Sequence, residues 1–327
     1  MKGLIYSDFG HPKDVLKLKE VEKPIPLHNQ VLIKVRASSL NAFDYLRFVD
    51  SVEGKEISEA TRQTDKQFGA LGKPLGVDVV GVVEEVGEDI SHLKKGDGVF
   101  AIASGLIGGW AEYALANDGE VCLKPSNLTF EEAASFPCAA LTALGALRLG
   151  NTQKGQHLLI TGATGGVGLF AVQLAKFLGL TVTGICSTRN QQLVRQMGAD
   201  FILDYKKEDI LKNGNKYDCI IANNGYQTLE EYKELLNPNG TYIPLSNRLL
   251  GEAMTQGAAV FTDSRTLKPF LFPMWADKEM SFLKELIEAE MIVPTIDKIY
   301  SIHNISKAIV DIIQDHPQGK VIINMDF

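Results

Sequence analysis

The chain is poor in the residues that build metal and disulfide frameworks. It has four cysteines in 327 residues, Cys122, Cys138, Cys186 and Cys219. No two of them are close enough for a CxxC-type zinc site, and nothing in their spacing marks a disulfide framework. Buried thiols in a reducing cytoplasm are the expected state. The six histidines, at 11, 28, 92, 157, 303 and 316, lie far apart and form no HxH or HExxH pattern. No run approaches the ~20 apolar residues that a bilayer crossing needs. Basic charge is not in excess either. Lys and Arg number 33 against 40 Asp and Glu, a net charge of −7 with a pI near 5.5. That balance excludes a general nucleic-acid binder. Met1-Lys-Gly-Leu-Ile-Tyr6 leads straight into a strand pattern with no signal-peptide core, so a cytoplasmic protein without membrane or nucleic-acid partners is expected.

What is present is a composition of 45% hydrophobic and 22% charged residues, suited to a globular protein of about two domains. Its most telling stretch is His157-Leu-Leu-Ile-Thr-Gly-Ala-Thr-Gly-Gly-Val-Gly168. Leu158 to Thr161 reads as a short buried strand. Val167, Phe170, Ala171, Leu174, Ala175 and Leu178 then recur at helical spacing. Strand, glycine turn and helix in immediate succession can hold a dinucleotide pyrophosphate at the helix start. The first glycine of the usual fingerprint is Ala163, and a plain packing turn is the competing reading. The flanks favour the dinucleotide. Strands are expected at 181–186, 201–203, 219–222 and 241–245, with helices at 190–197 and 229–236 between them. That alternation implies a parallel sheet covered on both faces.

Before residue 125 the period is 2. Val31, Ile33, Val35 and Ala37 alternate with Leu32, Lys34 and Arg36. Further strands are expected near 76–87, 99–101 and 110–115, and short strands separated by turns indicate a small β-barrel or sandwich. Residues 51–73 are polar and read as a surface excursion. Helices are expected at 278–289 and 305–313, then a strand at 319–324. A β domain split around an inserted nucleotide domain accounts for this order.

Several segments carry a resemblance. They are Ser38-Ser-Leu-Asn-Ala-Phe-Asp44, Gly76-Val-Asp-Val-Val-Gly81, Gly96-Asp97, Ala140-Leu-Thr142, Ala163-Thr-Gly-Gly-Val-Gly168, Gly198-Ala-Asp200, Asp204-Tyr205 and Gly319-Lys320. Together they resemble the medium-chain dehydrogenase/reductase superfamily, in its zinc-free quinone oxidoreductase branch. The resemblance implies an α/β protein with a GroES-like β-barrel catalytic domain, residues 1–124 and 275–327, and a doubly wound parallel-sheet Rossmann domain over 125–274. It also implies an active site in the cleft between them. Zinc-dependent members carry cysteine at the position of Asn41 and Gly-His-Glu at Gly76-Val77-Asp78. This chain has none of those ligands, so hydride transfer without a metal, to a quinone or an α,β-unsaturated carbonyl, is the expected reaction.

For the cofactor, an NAD site needs a carboxylate about 20 residues past the glycine loop. The stretch reads Thr183-Gly-Ile-Cys-Ser187-Thr-Arg189-Asn190, and the next acid is Asp200. Ser187 and Arg189 suit a 2′-phosphate instead, and Tyr205 matches a tyrosine that closes over that phosphate in the family. NADPH is therefore expected, held by Thr164, Gly165, Gly166, Val167, Gly168, Ser187, Arg189 and Tyr205. The resemblance adds Thr142 near the nicotinamide, with helix packing as its alternative. Asn223 and Asn224 follow a strand at its carboxyl end, where they contact the nicotinamide side or simply form a turn with Gly225. Asn41 is the expected donor to the acceptor oxygen and a cofactor contact, its alternative being a loop residue that holds a turn. Tyr45 is a second catalytic candidate, although the family ring at its position often packs. Asp44 is expected to fix its loop. The apolar run Val260–Phe272 fits the sheet edge through which relatives dimerise, so a homodimer is expected. The reading from another class is a sensor or structural protein that binds NADPH without turnover.

Overall fold

The computed structural model describes residues 1–49, 51–52, 55–56, 71–212, 214–225, 227–270, 276–315 and 317–327. The polar excursion expected over 51–73 falls mostly outside them. Within it, Ser51–Val52 pairs antiparallel with Lys55–Glu56. The chain divides into two compact units, Met1–Cys138 with Trp275–Phe327, and Ala139–Met274.

In the first unit, seven strands among the described residues form one sheet. Its path runs Ile296–Ser301, Lys320–Asn324, Gln30–Ser39, Asp78–Val86, Gly98–Ile102 and Val121–Leu123, and Tyr113–Asn117 pairs separately with Gln30–Ser39. The alternation read from the sequence does its work here. Val31, Ile33, Val35, Val79, Val83 and Val99 meet in one core with Trp110 and Phe48. Trp110 to Glu112 lie outside the strand expected at 110–115, which starts at Tyr113. The last two strands are parallel to each other and enclose the helix Ile305–Asp315. A parallel pair needs such a crossover. That helix buries Ile305, Ala308 and Ile309 into the same core. The helix Ala276–Glu288 buries Met280, Leu283, Leu286 and Ile287 at spacings of three and four.

In the second unit, six strands among the described residues form an all-parallel sheet. Their order is Phe201–Asp204, Thr181–Cys186, His157–Thr161, Tyr217–Ala222, Leu236–Pro244 and Thr266–Leu267. Numbered along the chain this is 3-2-1-4-5-6, the doubly wound order. The helix Gly166–Phe177 buries every residue from Gly168 to Ala175, as a helix covering a parallel sheet must. Three elements differ from expectation. The strand expected at 241–245 starts five residues earlier, as Leu236–Pro244, right after the helix Leu229–Glu234. The segment expected as one helix at 190–197 starts as a tight turn, Thr188–Asn190, and becomes helical at Gln191–Gln196. The helix Asn247–Val260, not anticipated, precedes the edge strand Thr266–Leu267.

Candidate functional site

The sheet order of the second unit reverses between His157–Thr161 and Tyr217–Ala222. Doubly wound sheets hold ligands at the carboxyl ends of such a pair. Here those ends are tied together. The Asn224 amide donates to Thr161 Oγ1 at 3.2 Å, and the Thr161 hydroxyl donates back to the Asn224 carbonyl. Asn223 Nδ2 lies 3.5 Å from the Gly162 carbonyl. The Asn224 side chain is spent locally, accepting from the Gly225 amide at 2.8 Å.

The glycine turn explains why Ala163 is tolerated. The left-handed conformation falls on Gly162, at φ 62°, one residue before the usual fingerprint glycine. Gly168 is the crowded position. A Cβ there would lie 2.2 Å from the Gly162 carbonyl oxygen. Gly165 caps the helix with no side-chain acceptor, and the first turn holds no acid. The leading N–H groups and the dipole of a 12-residue helix are thus left for an anion. Asn190, 3% exposed, donates from Nδ2 to Thr164 Oγ1 at 3.3 Å and links this turn to the next strand end.

At that strand end Ser187 is buried and Arg189 exposed. The Tyr205 amide donates to the Cys186 carbonyl at 3.2 Å, which sets Tyr205 beside Ser187, with its ring half-exposed. The structure gives a role to a residue that the sequence reading had only as part of the Asp204-Tyr205 match. Asp204 is 1% exposed and accepts from Thr188 Oγ1 at 2.5 Å, Gln191 Nε2 at 3.1 Å and the Lys206 amide at 3.0 Å. The Thr188 hydroxyl, chief among these donors, holds its carboxyl below the usual carboxylate range. So the acid nearest the turn comes from the neighbouring strand, and its oxygens are committed to that turn. Asp200, the next acid in sequence, is engaged elsewhere, by Lys176 Nζ and the Val182 amide, both at 2.7 Å. Thr142 is buried on the helix Pro137–Leu149.

The first unit holds the other candidates. Asn41 ends the longest barrel strand and starts the single turn Ala42–Tyr45. Its backbone N–H donates to Asp44 Oδ2 at 2.8 Å. Its side-chain Nδ2 donates to Asp78 Oδ2 at 2.9 Å and to Asp44 Oδ2 at 3.2 Å. Its Oδ1 accepts from Lys320 Nζ at 2.6 Å. Both amide protons are therefore turned towards carboxylates. Asp78 also accepts from the Ser39 hydroxyl and, on Oδ1, from the Cys138 amide at 2.7 Å. Asp44 Oδ1 accepts from the Val77 amide at 3.0 Å. Asp44 and Asp78 are fully buried. Burial first, and the Asp78 charge second, push the Asp44 carboxyl up to about 7, although Asn41, Lys320 and Arg47 pull it down. Tyr45 rests its ring against the barrel core with Leu46. In the sequence, Asp78 and Lys320 stand out only as motif matches. A lysine inside the apolar strand Lys320-Val-Ile-Ile-Asn324 was the available signal.

Residues 28–126 match the family described as Alcohol dehydrogenase GroES-like domain, and 197–323 the one described as Zinc-binding dehydrogenase. The chain is 33% identical to a quinone oxidoreductase of Sus scrofa, across 99% of this chain and 97% of that protein. The chain belongs to the medium-chain dehydrogenase/reductase family. A nicotinamide cofactor and the oxidoreductase class go with that membership. The dehydrogenase/reductase is also 32% identical to the mitochondrial NAD(P)H oxidoreductase RTN4IP1 of Bos taurus, over 91% of this chain and 82% of that one. Its fold matches a quinone oxidoreductase structure from Coxiella burnetii with a TM-score of 0.86, at 30% identity and 99% coverage of both chains.

The zinc in one family description does not fit this member. Among the described residues no group of three or more His, Cys, Asp or Glu side chains is arranged to hold a metal. At the positions that carry zinc ligands in the resemblance, Asn41 offers an amide, Val77 an apolar side chain and Asp78 a carboxylate already bonded by Ser39, Asn41 and the Cys138 amide, with no thiolate or imidazole. A cation is already there, the Lys320 ammonium. No helix among the described residues is long and apolar enough to cross a membrane.

Proposed function

We propose that this protein is an NADPH-dependent, zinc-independent reductase of quinones or α,β-unsaturated carbonyls. The observation that carries the reading is the gathering of groups at one end of the second unit's sheet. An uncapped helix start, Ser187 and the half-exposed Tyr205 converge there, with Arg189 exposed between them. The backbone N–H groups of Gly166, Val167 and Gly168, flanked by Thr164 and Gly165, bind the pyrophosphate. Ser187, Arg189 and Tyr205 bind the 2′-phosphate, with Arg189 neutralising its charge. Asp204 keeps its charge, but its oxygens are turned to Thr188, Gln191 and the Lys206 amide, and the Lys207 ammonium lies 3.9 Å from Oδ2 and partly offsets it. Thr142, Asn223 and Asn224 serve the nicotinamide side.

NADPH, when bound, supplies the hydride. Asn41 meets the negative charge that develops on the acceptor oxygen, giving up its longer contact, 3.2 Å to Asp44, to do so. Tyr45 borders the acceptor by packing. The proton that completes the reduction comes from water or a ribose hydroxyl. A quinone or enone accepts hydride without prior metal activation, which suits a site where the Lys320 ammonium already holds the Asn41 amide oxygen. The reading includes a cytoplasmic location and a homodimer through the edge strand Thr266–Leu267.

One observation favours a second reading, NADPH binding without turnover: both Asn41 amide protons are engaged by carboxylates. NADPH oxidation with 9,10-phenanthrenequinone separates the two. Turnover supports the reductase, and tight binding without turnover of a quinone or alkenal panel supports the sensor.

A further inference from the structure

The first unit buries an ammonium group at a position where its strand is otherwise apolar. Lys320 is 4% exposed and is followed by the buried Val321, Ile322 and Ile323. Taking an ammonium out of water is costly unless it is well paired. Its three contacts are Asn41 Oδ1 at 2.6 Å, the Leu40 carbonyl at 3.2 Å and Asp78 Oδ2 at 3.4 Å. The shortest is to an uncharged amide, and the carboxylate is the most distant. The group is placed for Asn41 more than for the ion pair.

The surroundings of that amide give it a single orientation. Its oxygen faces the ammonium, and its NH2 group faces Asp44 and Asp78. A flipped amide would set oxygen against two carboxyl groups and NH2 against an ammonium, which is unfavourable at both ends. A cation on the amide oxygen also draws electron density from the nitrogen and strengthens its N–H groups as donors. We propose that Lys320 is a positioning residue for the reduction: its ammonium fixes the Asn41 amide and sharpens its N–H donors toward the acceptor oxygen. This rests on the reductase reading, in which Asn41 meets that oxygen. Lys320 acts through Asn41, and the carboxylates of Asp44 and Asp78 hold the other side of the same amide.

The test is a double-mutant cycle on the full-length protein with Asn41→Ala, Lys320→Met and the double variant. Three quantities are measured: kcat with NADPH and 9,10-phenanthrenequinone, the NADPH Kd by fluorescence, and urea unfolding. Lys320→Met is expected to lower kcat about 10-fold or more with the NADPH Kd unchanged. The double variant should be no slower than Asn41→Ala alone, and Lys320→Arg should recover most of the loss. A general structural role would not give that pattern, since independent losses multiply. Multiplied losses, or a Lys320→Met variant at wild-type kcat, would overturn the proposal. Asn41→Ala at wild-type kcat would instead sink the donor role in the reductase reading. If Lys320→Met does not fold, Lys320→Gln, which keeps a donor without the charge, enters the same cycle under the same criterion. If the wild type turns over no quinone, the reductase reading fails. The unfolding cycle then decides the pairing, and additive stability losses would refute it.

Discussion

Gly168 is the position where the cofactor half of the protein is least able to change. A methyl group there would sit 2.2 Å from the Gly162 carbonyl oxygen and 2.8 Å from Ala163 Cα and carbonyl carbon. All three obstacles are backbone, so no rotamer relieves them. The start of the helix Gly166–Phe177 must back away from the turn. Overpacking of this kind costs about 1–3 kcal/mol. Alanine's better helix propensity returns up to about 1 kcal/mol, so the fall in stability is modest. The larger effect falls on the ligand. The N–H groups aimed at the pyrophosphate move with the helix, and losing one charge-assisted bond costs about 1.5–3 kcal/mol, roughly 10- to 150-fold in Kd. Gly168→Ala is therefore expected to bind NADPH at least about 10-fold more weakly while remaining folded. Fluorescence titration and urea unfolding read the two effects. Gly251→Ala is the control, since that helical glycine has nothing within 4 Å of an added Cβ. It should gain up to about 1 kcal/mol of stability at unchanged Kd. A Gly168→Ala protein with wild-type NADPH affinity would refute the reasoning.

Removing the proposed phosphate partner, Arg189→Ala should weaken NADPH by about 1.5–3 kcal/mol and leave NADH nearly unchanged; equal losses for both cofactors would remove Arg189 from the 2′-phosphate. Asp44 predicts a pH dependence. Its carboxyl is raised from 3.8 to about 7, so the folded protein holds a proton that the unfolded chain releases between those values. The stability it contributes is complete below about pH 4, declines as pH rises to about 7, and is flat above. The total is at most on the order of 4 kcal/mol. Urea unfolding of wild type and Asp44→Asn across pH 4 to 8 reads this, because groups that do not interact with Asp44 cancel in the difference. A difference that does not change with pH would contradict it.

The sequence made the second unit legible because its signals are local. The strand His157–Thr161, the glycine turn and the amphipathic run to Phe177 are contiguous, and the strands Thr181–Cys186 and Phe201–Asp204 each follow a helix by a short turn. Asn41 was marked by the resemblance of Ser38–Asp44 to the family's motif, just past an alternating strand. The contacts that orient it were not. Asp78 and Lys320 lie 37 and 279 residues away, and only the pairing of Lys320–Asn324 with Gln30–Ser39 brings them close. Asp204 escaped because the search for a carboxylate followed the second strand, whereas the third, paired alongside it, supplies one. The helix Asn247–Val260 was hidden by Gly251 and Gly257, which weaken helix propensity. The strand Ile296–Ser301 is mostly exposed at its centre, so no alternation marks it.

The most direct test of the reductase account is cofactor oxidation by purified protein with 9,10-phenanthrenequinone, run with NADPH and with NADH, each with and without a metal chelator. The account predicts turnover that prefers NADPH and is indifferent to the chelator. Turnover abolished by the chelator, or equal with both cofactors, would contradict it.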